Sequence, residues 1–184
     1  MYLLFCGRFQ PFHNGHLSLL RRTARHSGQI VVGVLITMKS SAPTATSPAN
    51  DFTALGDQRC EEDLNPFTVV DRVRMISASV GAEPWSAGAV VVAVPRPDLY
   101  WQLIEAMFPG LRTWILPTND DPINDAKERF YSAKGDRVLR IVVDSDVSGT
   151  GIREALLRDP STASGLVPEP VAAFLRAHRL DAGV

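Results

Sequence analysis

The sequence predicts an α/β fold in which helices pack on a doubly wound parallel sheet of about five strands. Five short apolar runs are nearly continuous and are bounded by Gly, Pro or charged residues, which is typical of strands buried on both faces of a parallel sheet. Segments with helical spacing lie between them, and this alternation predicts a doubly wound sheet. The predicted strands are 2–6, 30–36, 89–94, 113–116 and 138–143.

Apolar residues at helical spacing predict five helices between and after these strands. The first begins near Asn14, and the second follows Thr68, which forms the pattern of a capping box with Asp71. The inward residues are Leu17, Leu19, Leu20 and Ala24 in the first; Val69, Val70, Val73, Met75 and Ile76 in the second; Leu99, Leu103, Ile104, Met107 and Phe108 in the third; Ile152, Leu156 and Leu157 in the fourth; and Val171, Phe174 and Leu175 in the last, near 168–179.

The segment 38–64 interrupts this alternation. It is dominated by Ser, Thr, Ala, Pro and Asp and ends in an acidic run, 61–63. Such a long loop inside a compact domain is typical of a lid over a ligand or of a disordered surface excursion, and the sequence leaves both open. A length of 184 residues otherwise predicts one domain, 1–184.

Composition excludes several classes of function. The formal net charge is −1, so no basic surface predicts a nucleic-acid partner. The two cysteines, Cys6 and Cys60, are no disulfide framework and indicate a reducing, cytoplasmic setting. No signal-peptide pattern opens the chain, and no apolar run approaches the roughly 20 residues that span a bilayer. We therefore expect no membrane association.

The first candidate site is "GRFQPFHNGH", residues 7–16, directly after the first strand. Ligands of α/β sheets bind at the carboxyl ends of strands, and a helix N-terminus offers free N–H groups to anions. Gly7 would let the chain turn, Arg8 adds a forked cation suited to phosphate, and Gly15 lets phosphate oxygens approach the backbone. The segment predicts a phosphate site.

Two histidines, His13 and His16, lie three residues apart in this segment. On the first turn of a helix they would point the same way and could donate hydrogen bonds to a phosphoryl group that gains charge during reaction. They could also be half of a metal site, although His26 and His178 are isolated and no further ligands stand out. A third interpretation is that they are two unrelated histidines on the protein surface.

The second candidate site is "SDVSGTGIREAL", residues 145–156, after the last predicted strand. Ser148 and Thr150 provide hydroxyls, Gly149 allows a tight turn, and Arg153 lies one turn into the predicted helix. Alone, the pattern fits an ordinary N-cap and an amphipathic helix. Two helix N-termini with arginines, which we expect at the ends of neighbouring central strands, would instead form a cradle for a polyphosphate.

"GRFQPFHNGHL" and "SGTGIR" resemble the HxGH and SGTxxR signatures of the nucleotidylyltransferase superfamily, which has a Rossmann-like fold. More narrowly, the chain resembles the archaeal-type nicotinamide mononucleotide (NMN) adenylyltransferases. Residues 65–76, 98–109 and 166–175 resemble further segments of that family, so that the resemblance covers nearly the whole chain apart from part of 38–64. The HxGH motif is specific for the superfamily and much less so for the substrate.

The resemblance implies in-line attack by an acceptor phosphate on the α-phosphorus of a nucleoside triphosphate, with release of pyrophosphate. It implies that His13 and His16 steady the α- and β-phosphates, that Arg153 holds the β- and γ-phosphates, and that Arg8 spans nucleotide and acceptor. Mg²⁺ would be carried by the triphosphate, without protein ligands. The other nucleotide-binding residues implied are Gly7, Phe9, Asn14, Gly15, Ser148, Gly149 and Thr150.

The acceptor side departs from the family pattern. The usual arginine before "PF" is absent at 64–65, and the insertion could supply Arg59 instead. Asp98 replaces Asn, and Lys39 replaces Gln. Trp101 matches the family and could stack on a nicotinamide ring or be a core tryptophan. The expected acceptor-binding residues are Lys39, Asp98, Trp101 and Asn119.

These departures favour transfer of a cytidylyl group from CTP to a small phosphonate or phosphate acceptor, as in the phosphonoformate branch of phosphonate-antibiotic biosynthesis. The alternative is NMN adenylyltransferase activity, which makes NAD from ATP and NMN. A regulatory module that binds nucleotide without turnover is the alternative of another class. A dinucleotide-dependent oxidoreductase is disfavoured because no G-x-G-x-x-G follows the first strand. We expect a homo-oligomer.

Overall fold

Five parallel strands form one sheet with the order β3-β2-β1-β4-β5. The structure is a computed structural model and describes residues 1–39, 50–61, 65–143, 149–158 and 165–177. The strands are β1 (Tyr2–Gly7), β2 (Gln29–Leu35), β3 (Ala89–Val94), β4 (Arg112–Thr118) and β5 (Arg137–Val142). The predicted α/β class is confirmed, and each predicted strand lies within one or two residues of the observed one.

Seven α-helices connect or follow these strands in the described part of the chain. They are α1 (Asn14–Thr23), α2 (Asn50–Gln58), α3 (Val69–Gly81), α4 (Trp101–Met107), α5 (Pro122–Ala133), α6 (Gly149–Arg158) and α7 (Glu169–Ala177). The predicted capping box is present, because the Thr68 hydroxyl accepts from the Asp71 backbone N–H while the Asp71 carboxylate accepts from that of Thr68. No helix of the described residues is long and apolar enough to cross a membrane.

Helix α2 corrects the prediction that 38–64 is a loop without secondary structure. Residues 50–58 are helical, while 40–49 and 62–64 lie outside the described residues. Phe52, 3% exposed, packs against the rings of Phe130 and Tyr131 with centroid distances of 5.5 and 6.0 Å. Burial of this ring on α5 stabilises a helix that the surrounding Ser, Thr and Pro residues obscured in the sequence.

Helix α5 was also absent from the sequence prediction, although the chain marks its start. Asp121 accepts a hydrogen bond from the Ile123 backbone N–H at 3.2 Å, and Pro122 occupies the first turn. An Asp cap followed by Pro is a common helix start, and apolar residues follow at helical spacing. This helix brings several polar side chains to the sheet edge described below.

The sheet extends from the central strand β1 in both directions, with β2 and β3 on one side and β4 and β5 on the other. The crevice between β1 and β4 is therefore the topological switch point, where α/β sheets bind ligands. One expectation is wrong: the two motif-bearing strands are not neighbours, because β4 lies between β1 and β5. The second motif nevertheless contacts the first, through Arg153 and the Gln10 carbonyl oxygen.

Candidate active site

A cavity of about 660 Å³ opens at the carboxyl ends of β1 and β4. Its walls come from both predicted motifs and from two helices that the sequence analysis missed, α2 and α5. From the two motifs, the polar and glycine residues that line the cavity are Gly7, Arg8, Gln10, His13, Gly15, His16, Gly149, Thr150 and Arg153. The lining residues of these types from other segments include Thr37, Gly56, Arg59, Cys60, Arg96, Asp98, Thr118, Asn119, Asp121, Asn124 and Lys127. Ser148 lies outside the described residues.

The two histidines of the first motif form a stacked pair. Their ring centroids are 3.5 Å apart with the planes tilted by 24°. His13 is the N-cap of α1, one residue before the helix, and its backbone N–H donates to Nδ1 of His16 at 3.3 Å. Because Nδ1 of His16 accepts, the proton of the neutral ring lies on Nε2, which is then the atom that can donate to a ligand.

Both rings are neutral at pH 7. Burial lowers the pKa of His13 to about 4. Burial, the neighbouring His13 and the charge of Lys127 hold the pKa of His16 well below 6.5. His13 is only 7% exposed, and its Nδ1 atom has no hydrogen-bond partner among the described residues. The His13 side chain faces the backbone N–H of His16 in the arrangement of a capping box, so the nitrogen of the neutral ring that carries the proton is the one that could donate to a ligand.

Three phenylalanines hold His16 in place. Phe5, Phe9 and Phe12 contact its ring with centroid distances of 5.9, 5.0 and 5.4 Å. Phe9, not Gly7, takes the unusual backbone conformation, with φ at 51°. Gly7 therefore does not make the turn as expected; it leaves room for the Phe9 ring, which would lie 2.9 Å from a Cβ at position 7.

The N-terminus of α6 lies directly against the first motif. Arg153 donates from Nη1 to the Gln10 carbonyl oxygen at 2.7 Å and from Nη2 to the Thr150 hydroxyl at 3.1 Å. A Cβ at Gly149 would lie 3.2 Å from the same carbonyl oxygen, so a larger residue there would push the two motifs apart. The Gln10 side chain is itself clamped by two hydrogen bonds to the Phe67 backbone, of 2.9 and 3.0 Å.

Arg8 lines the cavity, and Arg59 and Arg153 are both close enough to influence its charge. Burial, together with the charges of Arg59 and Arg153, lowers the pKa of Arg8 to about 10, so it stays charged at pH 7. Its guanidinium donates to the Arg59 carbonyl oxygen at 2.5 Å. Behind it, the buried Arg72 donates to the carbonyl oxygens of Arg8 and Leu35, at 2.7 and 2.9 Å, and so fixes the loop after β1.

Two further cations line the cavity on the side of α2 and α5. Arg59, just beyond α2, forms an ion pair of 2.6 Å with Asp121 at the start of α5. Although burial opposes it, hydrogen bonding to Arg59 holds the pKa of Asp121 below its ordinary value. Lys127, on α5, is half-buried, and burial lowers its pKa to about 8. Sequence reasoning raised Arg59 only as a substitute arginine and missed Lys127.

Asp98 lines the cavity, but its carboxylate is fully buried and already bound. Arg96, itself 4% exposed, donates to Oδ1 from Nε at 3.2 Å and to Oδ2 from Nη2 at 2.5 Å. The same guanidinium is paired with Asp57 and donates to the Thr53 carbonyl oxygen at 3.0 Å. Asp98 thus helps to anchor α2 through Arg96, a residue that the sequence analysis did not single out.

Three predicted site residues are not brought to the cavity surface. Lys39 is exposed and pairs with Glu61 at 2.7 Å. Trp101 packs in an aromatic cluster, with ring centroids 6.2 Å from Trp114 and 5.6 Å from Phe130, as a core tryptophan would. Asn14 donates to the Gly165 carbonyl oxygen at 3.1 Å.

Asn119 does line the cavity. Its amide oxygen accepts from the Asn124 side chain at 2.6 Å. Among the described residues, no group of three His, Cys, Asp or Glu side chains is arranged to hold a metal ion. The two cavity carboxylates, Asp98 and Asp121, are each paired with an arginine.

The chain is similar in sequence to known nucleotidyltransferases. Residues 4–51, which include the first motif, match the family described as Cytidylyltransferase-like. The nicotinamide-nucleotide adenylyltransferase of Thermoplasma volcanium is 29% identical over 92% of this chain and 83% of its own length. That of Methanococcus maripaludis is 26% identical over 93% of this chain and 86% of its own length.

Solved structures share the fold. A bifunctional NMN adenylyltransferase/ADP ribose pyrophosphatase from Francisella tularensis superposes with a TM-score of 0.62 at 14% identity, over 97% of this chain and 50% of that one. A second structure of it, complexed with AMP and a manganese ion, gives a TM-score of 0.57 at 15% identity, over 86% and 42%. The chain spans half or less of the length of these two structures.

The fold, the paired motifs and the matches define the chain as a nucleotidyltransferase of the α/β type. The relatives that match it over most of their length are named nicotinamide-nucleotide adenylyltransferases.

Proposed function

We propose that the chain transfers an adenylyl group from ATP to NMN, releasing pyrophosphate. The observation that carries the proposal is the contact between the two motifs, which brings Arg153 and Thr150 into the same cavity as the stacked His13 and His16 rings. The names of the full-length relatives support NMN and ATP as the substrates. The expected CTP-dependent phosphonate reaction becomes the second candidate.

In this proposal the triphosphate lies along the two helix N-termini. Arg153 and the Thr150 hydroxyl bind the β- and γ-phosphates, and Nε2 of His16 donates to the α-phosphate, where negative charge develops in the transition state. We propose that ATP arrives as its magnesium complex, with the ion carried by the phosphates. Pyrophosphate then leaves along the side of α6.

The nucleophile is an oxygen of the acceptor phosphate, which forms a bond to the α-phosphorus as the bond to the bridging oxygen breaks. A phosphate dianion needs no general base at neutral pH, so the neutral histidines serve as hydrogen-bond donors. Arg8, between Arg59 and Arg153, screens the repulsion between the two anionic reactants. In this proposal the protein positions the two reactants and stabilises their negative charge.

The second candidate, CTP with a small phosphonate, rests on the acceptor side of the cavity. Trp101 does not line it, so it offers no surface there for a nicotinamide ring. Arg59 and Lys127, with Arg8, form a cluster of cations suited to a compact and strongly anionic acceptor. These residues favour a small acceptor, whereas the names of the relatives support NMN.

A pyrophosphate-release assay decides between the candidates. It compares kcat/KM for ATP with NMN against CTP with phosphonoformate, because specificity is the ratio of these values. The first proposal expects NAD formation to dominate by about two orders of magnitude or more. A dominant reaction with the phosphonate would establish the second candidate. No acceptor-dependent release with either pair, despite nucleotide binding, would contradict both. That one domain spans 1–184 and acts as a cytoplasmic homo-oligomer stays a prediction.

A further inference from the structure

We propose that Lys127 is an acceptor-binding residue, whose ammonium group contacts the acceptor's phosphate oxygens beside His16. This inference rests on the proposed function and adds to it a residue outside both motifs. Lys127 lies in the second turn of α5, a helix that the motif resemblance did not include. Its side chain lines the same cavity as the stacked histidines.

The ammonium group of Lys127 has no anionic partner within the part of the chain that the structure describes. Among the described residues it makes no hydrogen bond and no ion pair, although it is half-buried. The cavity arginines differ in this respect, since Arg59 pairs with Asp121 and Arg96 pairs with Asp98. A cation withdrawn from water without a partner is unfavourable, so its retention there indicates an anionic ligand.

Lys127 shares the cavity with Arg59 and His16. It is on α5, and Asp121 at the start of that helix forms the 2.6 Å ion pair with Arg59. The charge of Lys127 also lowers the pKa of His16. Lys127 thus belongs with Arg59 on the acceptor side of the cavity.

Asp121 cannot neutralise this group of cations. Its carboxylate accepts from both the Arg59 guanidinium, at 2.6 Å, and the Ile123 backbone N–H, at 3.2 Å. Arg8, Arg59 and Lys127 thus face the cavity with one paired carboxylate among them. A phosphate dianion between Lys127 and Arg59 would neutralise the surplus and lie within reach of the α-phosphate held by His16.

The test measures binding with three variants. Lys127→Met removes the charge, Lys127→Arg keeps it, and Lys134→Met removes a lysine of the same helix region that lies over the Trp101 ring, away from the cavity. With the nucleotide site saturated by an ATP analogue whose α,β-bridging oxygen is replaced by a methylene group, so that no transfer occurs, calorimetry should show NMN binding about tenfold or more weaker in Lys127→Met. ATP affinity should change by less than about threefold. Lys127→Arg should recover most of the loss, and Lys134→Met should match the wild type.

Two results would overturn the inference. Unchanged NMN affinity in Lys127→Met would show that the ammonium does not contact the acceptor. Equal weakening of ATP and NMN would place Lys127 on the triphosphate instead. Thermal unfolding of each variant checks that the fold is intact, and if Lys127→Met does not fold, Lys127→Gln is measured in its place.

Inorganic phosphate separates this inference from the proposed function. With ATP bound, phosphate should occupy the acceptor's anion site and bind more weakly in Lys127→Met. If this holds while the wild type forms no NAD, the anion site stands and NMN is rejected as the acceptor. If the wild type does not bind phosphate, or if Lys127→Met binds it as tightly as the wild type, the inference fails whether or not NAD is formed.

The pH dependence gives an independent readout. Lys127 carries its charge below a pKa of about 8, so wild-type affinity for NMN should fall as the pH rises through about 8. Cys6 has its pKa raised to about 12, Arg8 has its pKa lowered to about 10, and the pKa values of His16 and Asp121 are also lowered. None of these facing groups changes charge near pH 8, and Lys127→Arg should abolish the fall.

Discussion

Arg153 donates a hydrogen bond of 2.7 Å to the carbonyl oxygen of Gln10, a residue 143 positions earlier in the chain. This contact joins the two motifs that are predicted to bind phosphate. Gln10 is in turn clamped to the backbone of Phe67. Three distant segments thereby form one wall of the cavity, and the following predictions depend on this arrangement.

Replacing His16 with Ala should lower kcat by about 10² to 10³, with a smaller loss of nucleotide affinity, because its Nε2–H is proposed to act where charge develops. The measurement is steady-state pyrophosphate release together with the nucleotide Kd. His26→Ala, at an exposed position away from the cavity, is the matched control. Turnover near the wild-type value would remove His16 from the transition state.

Replacing Arg153 with Ala should weaken ATP binding more than AMP binding, since its proposed partners are the β- and γ-phosphates. The loss for ATP should be about tenfold or more, as for a charge-assisted hydrogen bond. Arg176→Ala, which removes a surface ion pair with Glu169 in α7, is the control. Equal losses for ATP and AMP would show that Arg153 acts only through its hold on Gln10.

Replacing Arg59 with Ala should raise the acceptor KM about tenfold and leave the nucleotide Kd little changed, because Arg59 lines the acceptor side of the cavity. This variant also breaks the ion pair with Asp121 at the start of α5. Arg129→Ala is the matched control, since it breaks the exposed ion pair of Asp51 with α5 without removing a cavity cation. An acceptor KM that rises equally in both variants would assign the effect to the position of α2.

Stability should fall as the pH drops from about 6.5 toward 4. The folded protein holds the pKa of His13 at about 4, against 6.5 for the exposed side chain, so the unfolded chain binds more protons in this interval. The stabilisation is complete above pH 6.5 and amounts to roughly 3 kcal/mol at most for His13. His16 contributes in the same direction.

Urea unfolding of the wild type and of His13→Asn at several pH values measures this effect. Asparagine is a favoured N-cap, so the variant keeps the start of α1 while removing the titrating ring. Its free energy of unfolding should depend less on pH between about 6.5 and 4. The free energy of unfolding of His26→Asn should depend on pH as that of the wild type does. If stability falls equally at acid pH in all three proteins, His13 is not the cause of the fall.

Asp98→Asn should destabilise the fold by about 3 kcal/mol or more, because it leaves the buried Arg96 guanidinium with one fewer carboxylate. The free energy of unfolding in urea measures this loss. Asp120→Asn, on the exposed surface after β4, is the control. A variant of unchanged stability that discriminates differently between acceptors would make Asp98 a specificity residue, as the sequence analysis expected.

The sequence by itself determined the features that depend on neighbouring residues. The strand 89–94 is recognisable as a continuous run of Val and Ala, although it is an edge strand of the sheet and is only partly buried. Helix α3 is recognisable because Thr68 and Asp71 cap it within one turn. The phosphate motifs are likewise local, since a helix N-terminus and its glycines bind anions through adjacent backbone groups. The helices that follow the two motifs begin at Asn14 and Gly149 as the sequence predicts, and phosphate binding by the motifs stays a prediction.

Only the tertiary structure decided which distant side chains meet in the cavity. Lys127, Arg59 and Arg96 reach it because Phe52 packs α2 on α5, and no local pattern encodes that contact. Lys39 and Trp101 fit the expected acceptor positions, but an ion pair with Glu61 and an aromatic cluster keep them from the cavity surface. Such choices follow from long-range packing and charge pairing, which a linear pattern of residues does not contain.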